Sequence, residues 1–316
     1  MSATLEELRA DNDMAWKQIL SFHLKDFVEF FWEEAYHDID WAKPYEILEQ
    51  ELMALGLSEE IGKRYVDKLF KVFLKNGQEQ WLLLHIEVQH SRDDSFPERM
   101  FSYFYRIYDR YHQDVASMAV LADKNKNWRP KQYYRSVWKS EICRTYEVIK
   151  LIDYGSKIEE LRSHPNPFAL VVLIQLVALE TKAGDENRFL TKLEFFRCLH
   201  QYGWPISKSM DMYRFLDTLL SLNPKFEVEY LEKAKQIDEE FQMNLTLTAE
   251  RHGFQQGIEQ GMQQGEALLL TNILKARFKE LPEAYTKKIN SAAPDTLNQW
   301  AINSVNAKSL EDVFRQ

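Results

Sequence analysis

Residues 12–36, NDMAWKQILSFHLKDFVEFFWEEAY, repeat apolar side chains at helical spacing behind Asn12 or Asp13 as a cap, and the spacing predicts a helix. A second, shorter helix is expected over 44–55, ending at Gly56. The run RYVDKLFKVFLKNGQEQWLLLHIEVQ then turns β-rich on both sides of Asn76-Gly77, the strongest short-range hairpin signal. SFPERMFSYFYRIYDRYH follows, with Ser95 and Glu98 spaced as a capping box and Pro97 in the first turn. Along that helix Phe101, Phe104, Tyr108 and Tyr111 make one stripe, and Arg99, Tyr103, Arg106 and Arg110 make another. VASMAVLA (115–122) and CRTYEVIKLIDY (143–154) are expected strands, and from about 155 to 250 the pattern is helical. These elements predict an α/β fold. Residues 1–154 are expected to form a domain of helices around a mixed sheet, 155–250 a helical region, and 251–316 a glycine-rich linker helix with a small helical unit.

The second strand of the hairpin, WLLLHIEVQ (81–89), is apolar and ends polar. A period of two puts Leu83, His85, Glu87 and Gln89 on one face and Leu82, Leu84, Ile86 and Val88 on the other. An acid and an amide at the rim of a core are costly unless something occupies them. Asp67, on the first strand, is the nearest candidate partner. A two-residue Asn-Gly turn would pair Lys75 with Gln78 and set Asp67 opposite Ile86, turning the two acids to opposite faces. A three-residue loop or a bulge shifts the register by one and puts Asp67 opposite His85 or Glu87. Two carboxylates could then share one divalent cation. A metal reading therefore predicts an odd-length loop or a bulge.

Composition narrows the partners. The chain has 316 residues, 45% hydrophobic and 13% aromatic, which suits one large globular domain or two to three smaller ones. Its formal charge of −9 excludes a uniformly basic surface, so a polyanion would have to meet a local patch. KNKNWRPKQYYRSVWK (124–139) is such a patch: Lys124, Lys126, Arg129, Lys131, Arg135 and Lys139, no acid, and Trp128, Tyr133, Tyr134 and Trp138 interleaved. Cations of this kind neutralise phosphates and such rings stack on bases; the alternative is a solvated basic loop with its rings tucked into the core.

Only Cys143 and Cys198 are present, so no disulfide framework or zinc cluster is implied, and a reducing compartment fits. MSATLEELRADNDM carries early acids and lacks the apolar core of a signal peptide, and FALVVLIQLVAL (168–179) is too short to span a bilayer. A cytoplasmic protein without a membrane span is expected. GLSEEIGK (56–63) is not a phosphate loop, because its glycine spacing is wrong and acids sit inside it. Gly253, Gly257, Gly261 and Gly265 recur every four residues. Each glycine costs a helix about 1 kcal/mol, so the series implies either a bare face for self-association or a frayed tether.

Asp67, then Glu87-Val88-Gln89 twenty residues on, between a long helix and a second helix with Arg99 and Tyr103, resembles the PD-(D/E)xK nuclease core. More closely, YVDKLFKVFLKNGQEQWLLLHIEVQHSRDDSFPERMFSYFYRIYD is similar to the recombination-promoting nuclease (Rpn), YhgA-like transposase family. WRPKQYY, the HPNPFALVV helix and the glycine-every-four tail resemble that family too. The resemblance implies Mg²⁺- or Mn²⁺-dependent cleavage of DNA, linked to recombination or transposition. Asp67, Glu87 and Gln89 would be catalytic, and Asp67, Glu87 and the Val88 carbonyl would ligate the metal. Glu29 or Glu33 would be a further ligand. Arg99, Tyr103, Lys124, Lys126, Arg129, Lys131 and Arg135 would contact DNA. Gln89 stands where the superfamily usually has lysine. That substitution keeps a second reading open, a non-catalytic DNA-binding or oligomeric scaffold protein with a degenerate site.

Overall fold

A computed structural model of the chain describes residues 5–48, 66–87, 94–242 and 245, and residues 267–314 except 276, 279–280, 291, 293 and 308. Where one long N-terminal helix is expected there are three: α1 (Leu5–Phe22), α2 (Leu24–Phe31) and α3 (Glu33–Asp38). The breaks at His23 and Trp32 let successive segments bury their rings against different neighbours. Trp16 donates its indole N–H to Gln175 at 3.1 Å and meets Phe215 edge-on at 5.2 Å, whereas Phe27 meets Phe168 at 5.3 Å. Residues 44–47 are not helical either. Glu46–Ile47 is a short edge strand, β1, held by a Lys71–Glu46 ion pair at 2.7 Å and by the Tyr45 hydroxyl donating to the Ser21 carbonyl at 2.8 Å. Residues 49–55 of that expected helix lie outside the described residues.

β2 (Val66–Phe73) and β3 (Glu79–Glu87) form the antiparallel hairpin, with Phe73 opposite Glu79 and Asp67 opposite His85. The loop is Lys75-Asn76-Gly77, three residues and not two. Gly77 donates to the Leu74 carbonyl at 2.8 Å, Leu74 donates to the Gln78 carbonyl at 2.8 Å, and Gly77 takes φ +88°. A type I turn followed by a left-handed glycine is the usual three-residue hairpin solution, and it needs glycine in the last place.

Next, α4 (Phe96–Tyr111) crosses to β4 (Val115–Leu121), which runs parallel to β3, as a helical crossover allows. The expected capping box is not formed. Ser95 already has helical backbone angles, and its hydroxyl accepts from Arg99 Nη1 at 3.4 Å instead of capping the helix. The single strand expected over 143–154 is divided. β5 (Gln132–Val137) and β6 (Ser140–Thr145) make a separate two-stranded hairpin, and β7 (Glu147–Lys150) joins the main sheet parallel to β4. The division falls at Tyr146, which is buried against Phe96 at 5.9 Å. The main sheet has the order β1-β2-β3-β4-β7, a mixed sheet with flanking helices, so the α/β class holds.

Among the described residues the α-helices that follow in this unit are α5 (Ile158–Ser163), α6 (Pro167–Glu180), α7 (Glu186–Gln201), α8 (Ile206–Leu219) and α9 (Pro224–Glu240). α6 is buried nearly all round, as its unbroken apolar run requires. These helices do not stand apart from residues 1–154. Asn166 donates to the Asp26 carbonyl and to Glu29 Oε2, both at 3.0 Å, His23 meets Asp211 at 3.1 Å, and Lys208 meets Asp26 at 2.8 Å. Residues 1–245 therefore form one compact unit, and the boundary expected at 154 does not divide it.

Residues 246–316 form a second unit. It has helices Glu283–Asn290, Pro294–Asn306 and Leu310–Val313, and a core that includes Leu270, Leu274, Ile289, Leu297 and Trp300. The glycine series 253–265 lies outside the described residues. Among the described residues, no helix is long and apolar enough to cross a membrane.

Candidate metal and nucleic-acid site

The three-residue loop decides the faces of the hairpin. With position 67 opposite 85, positions 67, 85 and 87 share one face, 67 and 87 as diagonal neighbours. β4 extends that face, His85 pairing with Ala119 and Glu87 with Leu121. Since β2 begins where β3 and β4 end, positions 67 and 87 also lie at one end of the sheet. The carboxyl ends of parallel strands are where open α/β sheets ordinarily bind ligands. Val88 and Gln89 lie outside the described residues.

α4 covers this same face. Tyr103 and Ile107 pack with Leu69, Trp81 and Val115, and Phe96 and Met100 pack with Ala119 and Leu121. Arg99 and Tyr103 are both buried, at 5% and 4% exposure, so they stand behind the face and not out in solvent. Arg99 lies over the Phe96 ring at 5.5 Å. Its charge also reaches Tyr146, whose hydroxyl is pushed above its ordinary range by burial and drawn part of the way back by Arg99.

Sequence reasoning missed a buried ion pair at this end of the sheet. Asp123, just past β4, accepts from Lys150 at the end of β7, and both side chains are essentially inaccessible. Asp123 also accepts from the Asn125 amide at 2.7 Å, and Lys150 Nζ reaches the Trp128 carbonyl at 3.4 Å. Burial lowers the Lys150 ammonium below its ordinary range, against the pull of Asp123. Lys150 pairs with Leu121 across the parallel ladder and so shares the face of position 87. The available signal was an acid immediately after a buried strand, in AVLAD, and a lysine closing EVIK.

The two first-helix acids have partners elsewhere. Glu29 accepts from Asn166 on the helical side of the unit, and the exposed Glu33 lies 3.8 Å from His37. Among the described residues, no group of three or more His, Cys, Asp or Glu is placed to hold a metal ion.

The basic segment is part loop and part strand. Lys124, Lys126 and Lys131 are exposed and make no ion pair among the described residues. Arg129 is committed to Asp153 through a two-pronged contact at 2.6 Å on each arm, which raises the guanidinium and lowers the carboxyl from their ordinary values. Arg135 is exposed, 3.6 Å from Glu98. Of the interleaved rings only Trp128 is buried, and Trp138 is almost wholly in solvent.

Residues 54–121, which contain the hairpin, α4 and β4, match the family model described as "Putative transposase, YhgA-like". No curated protein and no solved structure matches the chain.

Proposed function

We propose that the chain, whose residues 54–121 match the "Putative transposase, YhgA-like" family model, is a metal-dependent DNA endonuclease acting in recombination or transposition. The observation that carries this reading is the hairpin register, which gives positions 67 and 87 a common face at one sheet end inside the matched segment. Asp67 and Glu87 would hold Mg²⁺ or Mn²⁺, with the Val88 carbonyl as a further oxygen donor. When bound, such an ion lowers the pKa of a coordinated water and neutralises charge gathering on the phosphate. Gln89 would orient that water through its amide, donating and accepting hydrogen bonds, but it adds no positive charge. Arg99 and Tyr103, buried on α4, would hold the strand face in place, and the exposed Lys124, Lys126, Lys131 and Arg135 would meet the DNA backbone.

The test is nicking of supercoiled plasmid in Mg²⁺ by the parent protein, with Asp67→Ala and Glu87→Ala beside it. Loss of nicking in both variants supports the site. Nicking that survives both would place the activity elsewhere. One sequence observation favours the second reading, a non-catalytic DNA-binding protein: Gln89 lacks the charge that lysine would give the transition state. A parent protein that binds DNA and never nicks it would support that reading.

A further inference from the structure

We propose that the β5–β6 hairpin is a DNA-contacting arm, in which Trp138 stacks against bases while Lys131, Arg135 and Lys139 neutralise the flanking phosphates. The proposal rests on the nucleic-acid reading above and assigns it a surface.

The hairpin belongs to neither layer of the main fold. It is a sheet of two strands only, with six residues in each, fixed at its base and bare beyond it. At the base Tyr133 stacks on Phe101 at 4.5 Å, Arg144 lies 4.1 Å over the Phe104 ring and donates to the Val115 carbonyl, and Tyr146 donates its amide to the Lys131 carbonyl at 3.2 Å. Towards the tip the apolar groups stand in water: Tyr134 is 50% exposed, Val137 62% and Trp138 98%. Strands of this length reach about 20 Å. A two-stranded ribbon is also a shape that the major groove admits.

The turn favours display of the ring over local comfort. Val137 pairs with Ser140, so Trp138 and Lys139 make a two-residue loop. Trp138 takes φ +53°, and Lys139 is not among the residues with positive φ. A left-handed first residue alone marks a turn that ordinarily takes glycine there. A tryptophan in that place has a strained backbone and gains no burial in return. Apolar side chains wedged or stacked on bases are a recurrent way of using such a tip.

Charge selects the occupant. In a chain of net −9, residues 131–145 carry four cations, Lys131, Arg135, Lys139 and Arg144, against the single acid Glu141. Among the described residues Lys131 and Lys139 make no ion pair, and both are exposed. A second copy of this chain would bring the same cations against themselves, whereas a polyanion matches them.

The experiment is anisotropy of a short fluorescein-labelled duplex titrated with the full chain in EDTA over a range of salt. Trp138→Ala is expected to weaken binding about tenfold with the salt slope kept, because a stacking contact is lost and no phosphate contact is. Trp138→Phe should recover much of that loss. Lys131→Gln and Lys139→Gln should each reduce the slope by about one. Trp138 lies outside the core, and circular dichroism checks that its replacement leaves the fold intact. Unchanged binding by Trp138→Ala overturns the proposal. So does a parent chain that does not bind, or a loss of affinity that accompanies a fall in solution mass, which would make the tip a self-association contact. Reading binding without metal separates the two ideas. A chain that binds through Trp138 and never nicks upholds the arm alone; one that nicks while Trp138→Ala binds normally upholds the nuclease alone.

Discussion

Asp67 stands directly opposite His85 across the β2–β3 ladder, one residue out of the register that a two-residue Asn-Gly turn would impose. That single step puts positions 67 and 87 on the face that α4 covers; the other register would have put them on different faces. The loop at one end of the hairpin thus governs which positions share a face at the other.

Gly77→Ala should destabilise residues 1–245 by about 1 kcal/mol, since an L side chain is strained at positive φ. The space around Gly77 is open and its φ is +88°, so the cost is backbone strain and not a clash. A lower urea midpoint with an unchanged slope is the expected result. A variant as stable as the parent would mean that the turn is not held as described.

Asp123 and Lys150 should behave as a unit. Removing one charge, by Asp123→Leu or Lys150→Met, leaves the other buried and alone, a loss of about 3–5 kcal/mol. The double variant should regain most of it, because two well-packed apolar groups replace a desolvated pair. Urea denaturation of the three variants reads this directly. Singles that cost nothing would show that the pair is hydrated in solution.

His23 should give stability a pH dependence on the basic side. Burial alone would lower its pKa, but hydrogen bonds and attraction from Asp211 and Asp26 prevail and raise it above 6.5. The stabilisation is then complete below 6.5 and is lost as pH rises through the raised native value. Asp26 runs the opposite way. Burial opposes its ionisation, yet His23 and Lys208 hold it below 3.8, so its contribution is present above that value and is lost as pH falls through the native one. His23→Gln should flatten the basic limb of a plot of urea midpoint against pH. An unchanged limb would remove His23 from the account.

The hairpin, α4, β4 and the buried α6 are legible in the sequence because each depends on a period within one short run. The need for an odd loop was legible too, once Asp67 and Glu87 were asked to share a face. The edge strand at Glu46–Ile47 was not, since its partners are Lys71 and Phe70 in a later strand. Nor was the division of 143–154 at Tyr146, which follows from a ring that Phe96 and Trp128 receive. Arg129 read as a free cation in a basic run; only the fold brought Asp153 to it.

Local pattern alone therefore settled the hairpin, α4, β4 and α6, and where cations and rings crowd together, because periodicity and composition act over a few neighbouring residues. Folding in three dimensions decided which acids share a face, which charges pair, and that residues 155–245 close over α1 and α2. Those outcomes depend on register, burial and desolvation between residues far apart in the chain, and no local window contains both partners.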